Sequence, residues 1–483
     1  MAENDTRPDS LDPADWPRFR AEAHAMLDAA IDRMEQATEG PVWQAPPPEL
    51  RAAMQTPLPR AGLGAEAVQT QLRDLLPYGV GNTHPRFFGW VHGSGTPSNL
   101  MADIAAAALN ANLGGRDHGA IHVERQVIRW CRALFGFPAS ASGLIVSGTS
   151  IATIIALKAA RDRTIGAEAR TKGPQARPLT GYTSAQTHAC VARAFDMLGL
   201  GSDALRRIPT NGAFEIDIDA LRASIAADRA AGSIPFALIG TAGSVNTGAM
   251  DDLDQLAGIA ATESLWFHVD GAFGALGILT ETLRPRLAGL ERADSLAFDF
   301  HKWMHVNYDA GFVLIRDEAD HRAAFADRPD YLQGAERGLA GGNPWPVDYG
   351  PELSRGFRAL KVWAQIAEHG TDRIGRLIER NCAQARQLAA LVDAHPRMER
   401  LAPVALNICN FRFAPEGVPD LDDLNREIVT RLQLHGLAAP STTTLNGQTA
   451  IRVNITNHRT RDSDLPFLVE AVERTGNDLL SAR

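Results

Sequence analysis

The stretch LAFDFHKWMHVNYDAGFVLIRD, from Leu296 to Asp317, sets His301 and Lys302 between two apolar runs. A lysine there belongs either to a surface turn or to a site that needs one amine fixed deep in a cleft. Three other polar groups stand at the ends of apolar runs in the same manner. Thr149 and Ser150 follow GLIVSG and open a helical stretch, IATIIALKAAR. His188 lies in YTSAQTHACVARA, at a strand-to-helix junction, and Asp270 closes LWFHV. Each has a plain structural use: an N-cap for Ser150, a hydrogen-bonded turn for Asp270, a packed imidazole for His188 as for His84 and His92.

Taken in order they compose one chemistry. Free amides at a helix start, with two hydroxyls beside them, seat an anion such as a phosphate. An imidazole offers a flat face to an aromatic ring. A carboxylate at the end of a buried strand is costly unless paired, and a cationic ring nitrogen or a metal would pair it. An amine forms a Schiff base with an aldehyde. Phosphate, pyridine ring and aldehyde are the parts of pyridoxal 5′-phosphate (PLP). The phosphate seat is not GxxxxGKS, so an ATP-type loop is not supported.

These groups must be positioned by regular elements. From about 96 to 368, short apolar runs alternate with helical stretches: GLIVSG, PFALIGTAG, LWFHVDGAF, DSLAFDF and GFVLIR against IATIIALKAARDR, HACVARAFDMLGL, DIDALRASIAADRAAG and DDLDQLAGIAATE. Strand then helix, repeated, predicts an α/β domain on a mostly parallel sheet, with ligands at the carboxyl ends of the strands. All four polar groups fall at such ends. Before this domain, Phe19, Ala23, Met26, Leu27, Ile31 and Met34 recur at helical spacing, and a Pro-rich joint, GPVWQAPPPEL, follows. Residues 1–95 are too few to hold a core and are expected to lie on another domain or subunit. LSRGFRALKVWAQIAEHG predicts one long helix leaving the central domain. Residues 369–483 mix helices with strands (LNICNFRF, TAIRVNIT), as a small α+β domain does.

Bulk properties exclude other classes. The 483 residues carry a formal net charge of −9, which argues against a nucleic-acid binder. Cys131, Cys190, Cys382 and Cys409 stand far apart with no CxxC, which predicts free thiols in a reducing cytoplasm and no zinc site. The polar N-terminus is no secretory signal, and no apolar run is long enough to span a membrane.

The motifs resemble those of the group II PLP-dependent decarboxylases, a family that includes aromatic amino acid and glutamate decarboxylases. HPRFFGWVHGSGTPSNLMADIAAAALN is similar to the family's substrate-admitting segment, HVERQVIRW to its Glu-containing helix, VSGTSIATIIALKAAR to its phosphate loop and THACVARA to its stacking-histidine segment. GTAGSVNTGAMDDL and FHVDGAFGA resemble the strand ends that follow, and DFHKWMHVNYD resembles the His-Lys signature. The resemblance implies the aspartate-aminotransferase fold (fold type I) and a homodimer embraced by its N-terminal helices. It implies that Lys302 forms the Schiff base, Asp270 pairs with the pyridine nitrogen and His188 stacks on the ring. Thr149, Ser150 and His301 then lie at the phosphate, Thr241 and Ala272 line the ring, and Asp299 stands where relatives have Asp or Asn. Trp90 and His92, with Asn112 near Asn110, are the implied substrate contacts, and His92 stands where the aromatic enzymes carry Pro. The implied reaction is decarboxylation of an L-amino acid, aromatic favoured. The alternatives are oxygen-dependent decarboxylation–deamination to an aldehyde, transamination, and a non-catalytic PLP-binding relative. A mobile-loop tyrosine of the family aligns with Pro346, so Tyr349 and Tyr331 become the candidate proton donors.

Overall fold

The structure, a computed structural model, describes residues 10–166, 168–174, 177–327 and 334–482. Tyr331 lies outside them. A seven-stranded sheet forms the centre, in the order Ser142–Val146, Gly311–Ile315, Ser295–Asp299, Trp266–Asp270, Ile234–Thr241, Leu179–Ser184, Leu205–Ile208. It is parallel except for Gly311–Ile315, which runs antiparallel to both neighbours. Its inner strands read as unbroken apolar runs because both faces are covered. Alternation along each strand feeds two cores. Leu144, Val146, Ile239, Ala297 and Val313 pack with the helices Thr149–Ile165 and Ala189–Met197 on one face. Ile145, Leu238, Val269, Leu296 and Phe312 pack with the helices Gly119–Leu134, Leu253–Glu263 and Arg358–His369 on the other.

The helix expected over residues 353–370 begins only at Arg358 and ends at His369. Gly370, at φ +69, stops it, and a second helix runs Thr371–Asp393. The start is displaced because Arg355 is drawn into the core. Its guanidinium donates to both carboxylate oxygens of Glu124, at 3.0 and 2.6 Å, and to the carbonyl of Leu113 at 2.8 Å.

A second sheet, of five strands, has the order Phe87–Phe88, Ala439–Leu445, Gln448–Asn454, Ile408–Phe413, Met398–Arg400. Phe87–Phe88 thus tie the N-terminal region to the C-terminal sheet. Ahead of them, the helices Trp16–Glu35, Pro48–Ala53 and Ala65–Leu75 bury no residue. No helix among the described residues is long and apolar enough to cross a membrane.

Candidate active site

Lys302 lies in the turn that joins two antiparallel neighbours, Ser295–Asp299 and Gly311–Ile315. The turn stands at the carboxyl end of the parallel strands, beside the start of the Thr149–Ile165 helix. A cavity of about 380 Å³ opens there, lined among others by Thr149, Ser150, His188, Ala272, Asp299, His301, Lys302 and Tyr308. Residues scattered over 160 positions of sequence therefore share one wall. A second cavity, lined by Glu124, Arg125 and Tyr349, contains none of these groups.

Asp299 is the hub. Its Oδ1 accepts from the Thr149 amide at 2.7 Å, and its Oδ2 meets Lys302 Nζ at 2.7 Å and His301 Nε2 at 3.8 Å. Burial works to raise its pKa, but the charges of Lys302 and His301 outweigh burial and hold it below the usual carboxylate range. His301 Nδ1 lies 3.1 Å from both the amide nitrogen and the carbonyl oxygen of Ala310. Burial lowers the pKa of this imidazole.

Asp270 sits deeper. Its Oδ1 accepts from the Ala272 amide at 3.1 Å, and the Cys190 thiol approaches its Oδ2 at 4.0 Å. Burial raises its pKa against the opposing charges of Lys302 and His188. His188 does two things: its Nδ1 accepts from the Cys190 amide at 3.2 Å, capping its own helix, while the ring faces the cavity. Ser150 is not an N-cap. Gly148 holds that position without a side-chain bond, so both hydroxyls remain for a ligand.

The residues present fit PLP on observations of the site itself. Thr149 Oγ1 and Thr241 Oγ1 are buried with no partner, although such hydroxyls are normally bonded. Thr241 stands directly beside Asp270 in the sheet. Asp270 is a buried carboxyl with no salt bridge among the described residues, so a protonated ring nitrogen would supply the charge its setting lacks. Three or more metal-ligating side chains do not cluster anywhere among the described residues.

The segment around Gly93 passes against the lysine turn. A Cβ on Gly93 would lie 2.2 Å from the His301 carbonyl oxygen and 2.5 Å from that of Lys302, so only glycine permits this approach. Trp90, His92 and Tyr308 form a wall of rings: Trp90 to His92 is 5.9 Å, His92 to Tyr308 is 5.9 Å and Tyr308 to His301 is 4.4 Å between centroids. His92 Nδ1 is buried without a partner, and burial lowers the pKa of the ring. Asn112 is not in this wall. Its Oδ1 accepts from the amides of Gly114 and Arg355, both at 2.9 Å. Tyr349 is also elsewhere: its hydroxyl donates to Glu318 and its ring lies against His321.

Two residues of the region went unread in the sequence. Tyr308 is one, although it stands six positions after Lys302. Arg452 is the other, a cation in the apolar strand TAIRVN, and that misfit was its signal. Its guanidinium donates to the carbonyls of Val245 and Trp90, at 2.7 and 2.9 Å, and Nη2 has no partner. Burial pulls its pKa down to about 10.

A family profile described as "Pyridoxal-dependent decarboxylase conserved domain" matches residues 47–414. The chain belongs to the pyridoxal-dependent decarboxylase family. It is similar to an aromatic-L-amino-acid decarboxylase of Bacillus atrophaeus, 32% identical over 92% of this chain and 93% of the relative. It is similar to an L-2,4-diaminobutyrate decarboxylase of Rhizobium meliloti (strain 1021), 30% identical over 88% and 84%. Among solved structures it resembles the glutamate decarboxylase domain of a Vibrio parahaemolyticus diaminobutyrate-pyruvate transaminase and L-2,4-diaminobutyrate decarboxylase, with TM-score 0.84, 26% identity and 95% and 96% coverage. Like the rest of the pyridoxal-dependent decarboxylase family, the chain is a PLP-dependent amino acid decarboxylase of fold type I.

Proposed function

We propose that this enzyme decarboxylates an L-amino acid whose side chain is an aromatic ring carrying a hydrogen-bonding group, and releases the amine. The observation that carries the reading is the wall of Trp90, His92 and Tyr308, apolar over its faces but with the unpartnered His92 Nδ1 set among them. Rings stack on such a wall, and a polar substituent satisfies the buried nitrogen.

PLP, when bound, supplies the aldehyde for the amine exchange and an electron sink for the bond that breaks. The side chains of this chain do the rest. Lys302 would give the amine that holds the cofactor. Asp270 keeps a proton on the ring nitrogen. Thr149, Ser150 and His301 seat the phosphate, Asp299 orients Lys302, and His188, Thr241 and Ala272 confine the ring. Arg452, buried with an unused Nη2 beside Trp90, offers a cation to the substrate carboxylate.

The protein is further proposed to work as a homodimer in the cytoplasm. Trp16, Phe19, Ile31, Val68 and Leu72 leave an apolar face exposed on residues 1–95 that a second copy would cover. Asn112 would then meet substrate only through the partner subunit. The four cysteines, all free and buried, suit a reducing compartment.

The test is a screen of amino acids that follows carbon dioxide, amine, aldehyde and keto acid together. Tyrosine-like substrates are expected to exceed phenylalanine in kcat/KM, since a site built to bond a hydroxyl rejects the analogue lacking it by up to about 10⁴–10⁵-fold. Turnover of glutamate or diamino acids alone would remove the aromatic reading. A keto acid product would make the enzyme an aminotransferase. The aldehyde-forming alternative is favoured by one observation, Pro346 at the loop position of the family's tyrosine.

A further inference from the structure

We propose that a third cavity, separated from the Lys302 cavity by the segment 93–96, binds a short organic carboxylate that carries no ammonium group, and that this ligand tunes the catalytic cavity through the shared wall. The cavity measures about 200 Å³. Met34, Ala37 and the Tyr308 ring give its apolar lining, Thr83, Asn307 and Arg459 its polar lining, and no Asp or Glu borders it.

Arg459 is the group that calls for an anion. Its Nη1 makes one long contact, to the Ser94 carbonyl at 3.3 Å, and its Nε and Nη2 have no partner among the described residues. Burial lowers its pKa, and no acidic group stands near enough to oppose that. Arg380 beside it donates to the His458 carbonyl and also makes no ion pair among the described residues. The imidazoles alongside feel this charge. Burial, then the charge of Arg459, takes His458 down to about 4, and burial, then His458 and the same two arginines, lowers His305. A chain of net charge −9 thus keeps a pocket of uncompensated positive charge here, where a half-buried cation is ordinarily paired.

The lining selects the ligand. A guanidinium fork matches the two oxygens of a carboxylate. Asn307 Oδ1 accepts from the Thr96 amide at 3.1 Å, which leaves its Nδ2 as a second donor, and the Thr83 hydroxyl is a third. An ammonium group would meet two arginines and no acid, which excludes amino acids. Met34, Ala37 and Tyr308 suit a short apolar chain. The wall to the catalytic cavity is thin and firmly held. Tyr308 lines both cavities, and Asn82 Nδ2 donates to the Gly93 carbonyl at 2.6 Å. Lys361 Nζ donates to the Tyr308 carbonyl at 2.9 Å and Arg358 Nε to Asp309 Oδ1 at 3.1 Å, both from one helix. A ligand that bears on this wall changes the affinity for substrate, and substrate changes its affinity by the same factor.

The experiment is calorimetric titration of the PLP-loaded full-length enzyme with butyrate, chloride and butylamine. Butyrate is expected to bind saturably, chloride more weakly and butylamine not at all. Arg459→Gln should weaken butyrate about 10- to 100-fold and keep turnover without butyrate, whereas Arg452→Met should bind butyrate as the wild type does. The KM for the best substrate of the screen above should move to a finite plateau as butyrate rises. No binding of butyrate, or equal binding of chloride or butylamine, would overturn the proposal. Loss of binding in Arg452→Met but not in Arg459→Gln, or a KM that climbs without limit, would put the acid in the catalytic cavity and overturn it as well. An unmoved KM would overturn the coupling. If Arg459→Gln does not fold, Thr83→Val removes one donor and should weaken butyrate about 2- to 10-fold; unchanged affinity would refute the site. Binding is read without turnover, so its failure is distinct from a failure of the decarboxylase reading.

Discussion

At the scale of single residues, the site is an arrangement of charges that makes sense only with a cofactor. Asp270 is buried without a cation bonded to it, whereas Asp299 is satisfied by Lys302, Thr149 and His301. Asp270→Asn is therefore expected to keep the cofactor and lose turnover by about 10- to 100-fold, since a charge-assisted hydrogen bond is worth about 1.5–3 kcal/mol; absorbance checks the first and kcat the second. Near-normal kcat would show that Asp270 does not hold the ring proton. Borohydride reduction followed by peptide mapping should place the cofactor on Lys302. A label on Lys158 or Lys361 would refute the assignment, and both are already engaged, with Asp162 at 2.7 Å and the Tyr308 carbonyl at 2.9 Å. Arg452→Met should raise KM more than it lowers kcat if, as proposed, its cation meets the substrate carboxylate in the ground state; the reverse split would exclude that contact.

At the scale of elements, the decisive joint is the one between Glu124 and Arg355. It links the helix Gly119–Leu134, the strand Ser142–Val146 through the Ile145 amide at 3.1 Å, and the segment ahead of Arg358–His369. That last helix holds Tyr308 and Asp309 in place. Breaking a buried ion pair leaves an uncompensated charge and costs about 3–5 kcal/mol. Glu124→Ala is expected to lower the urea midpoint by that equivalent and to loosen the Tyr308 turn, read as faster amide exchange at residues 305–310. Unchanged exchange there would separate the ion pair from the site.

At the scale of the whole molecule, the enzyme is expected to lose stability in acid. His268 and His321 are buried and pulled down to about 3, and His84 and His458 to about 4, chiefly by burial. They stay neutral in the folded chain while the unfolded chain protonates them below about 6.5. The unfolded state thus binds more protons, and stability falls as pH drops from about 6.5 toward 4, by up to about 1.4 kcal/mol per unit for each such histidine. Asp251 acts with the opposite sign. Burial raises it to about 6, so between about 6 and 3.8 the folded state binds its proton and one histidine is offset. Urea midpoints between pH 7.5 and 4.5 check the slope, and His268→Asn should flatten it. Deleting residues 1–80 should give aggregated protein if the exposed N-terminal face is a dimer surface; a soluble, active monomer would contradict it.

The sequence by itself determined the alternation of strand and helix, and with it the parallel sheet, because buried strands need continuous apolar runs and strand ends must turn. It also singled out the candidate cofactor residues: Thr149, His188, Asp270 and Lys302 each sit where a run stops, and a sheet brings such ends to one edge. Two-residue Phe87–Phe88 and the strand Leu205–Ile208 left no periodic signal, since neither is long enough to show one. Only the tertiary structure decided which polar groups share the cavity. It sent Asn112 to a loop and Tyr349 to Glu318, and it brought Tyr308 to Lys302. Those outcomes depend on long-range contacts, Arg355 with Glu124 and Gly93 with His301, whose partners lie some 200 residues apart. Local patterning fixes the period of an element; it carries no information about which distant charge will draw a turn inward.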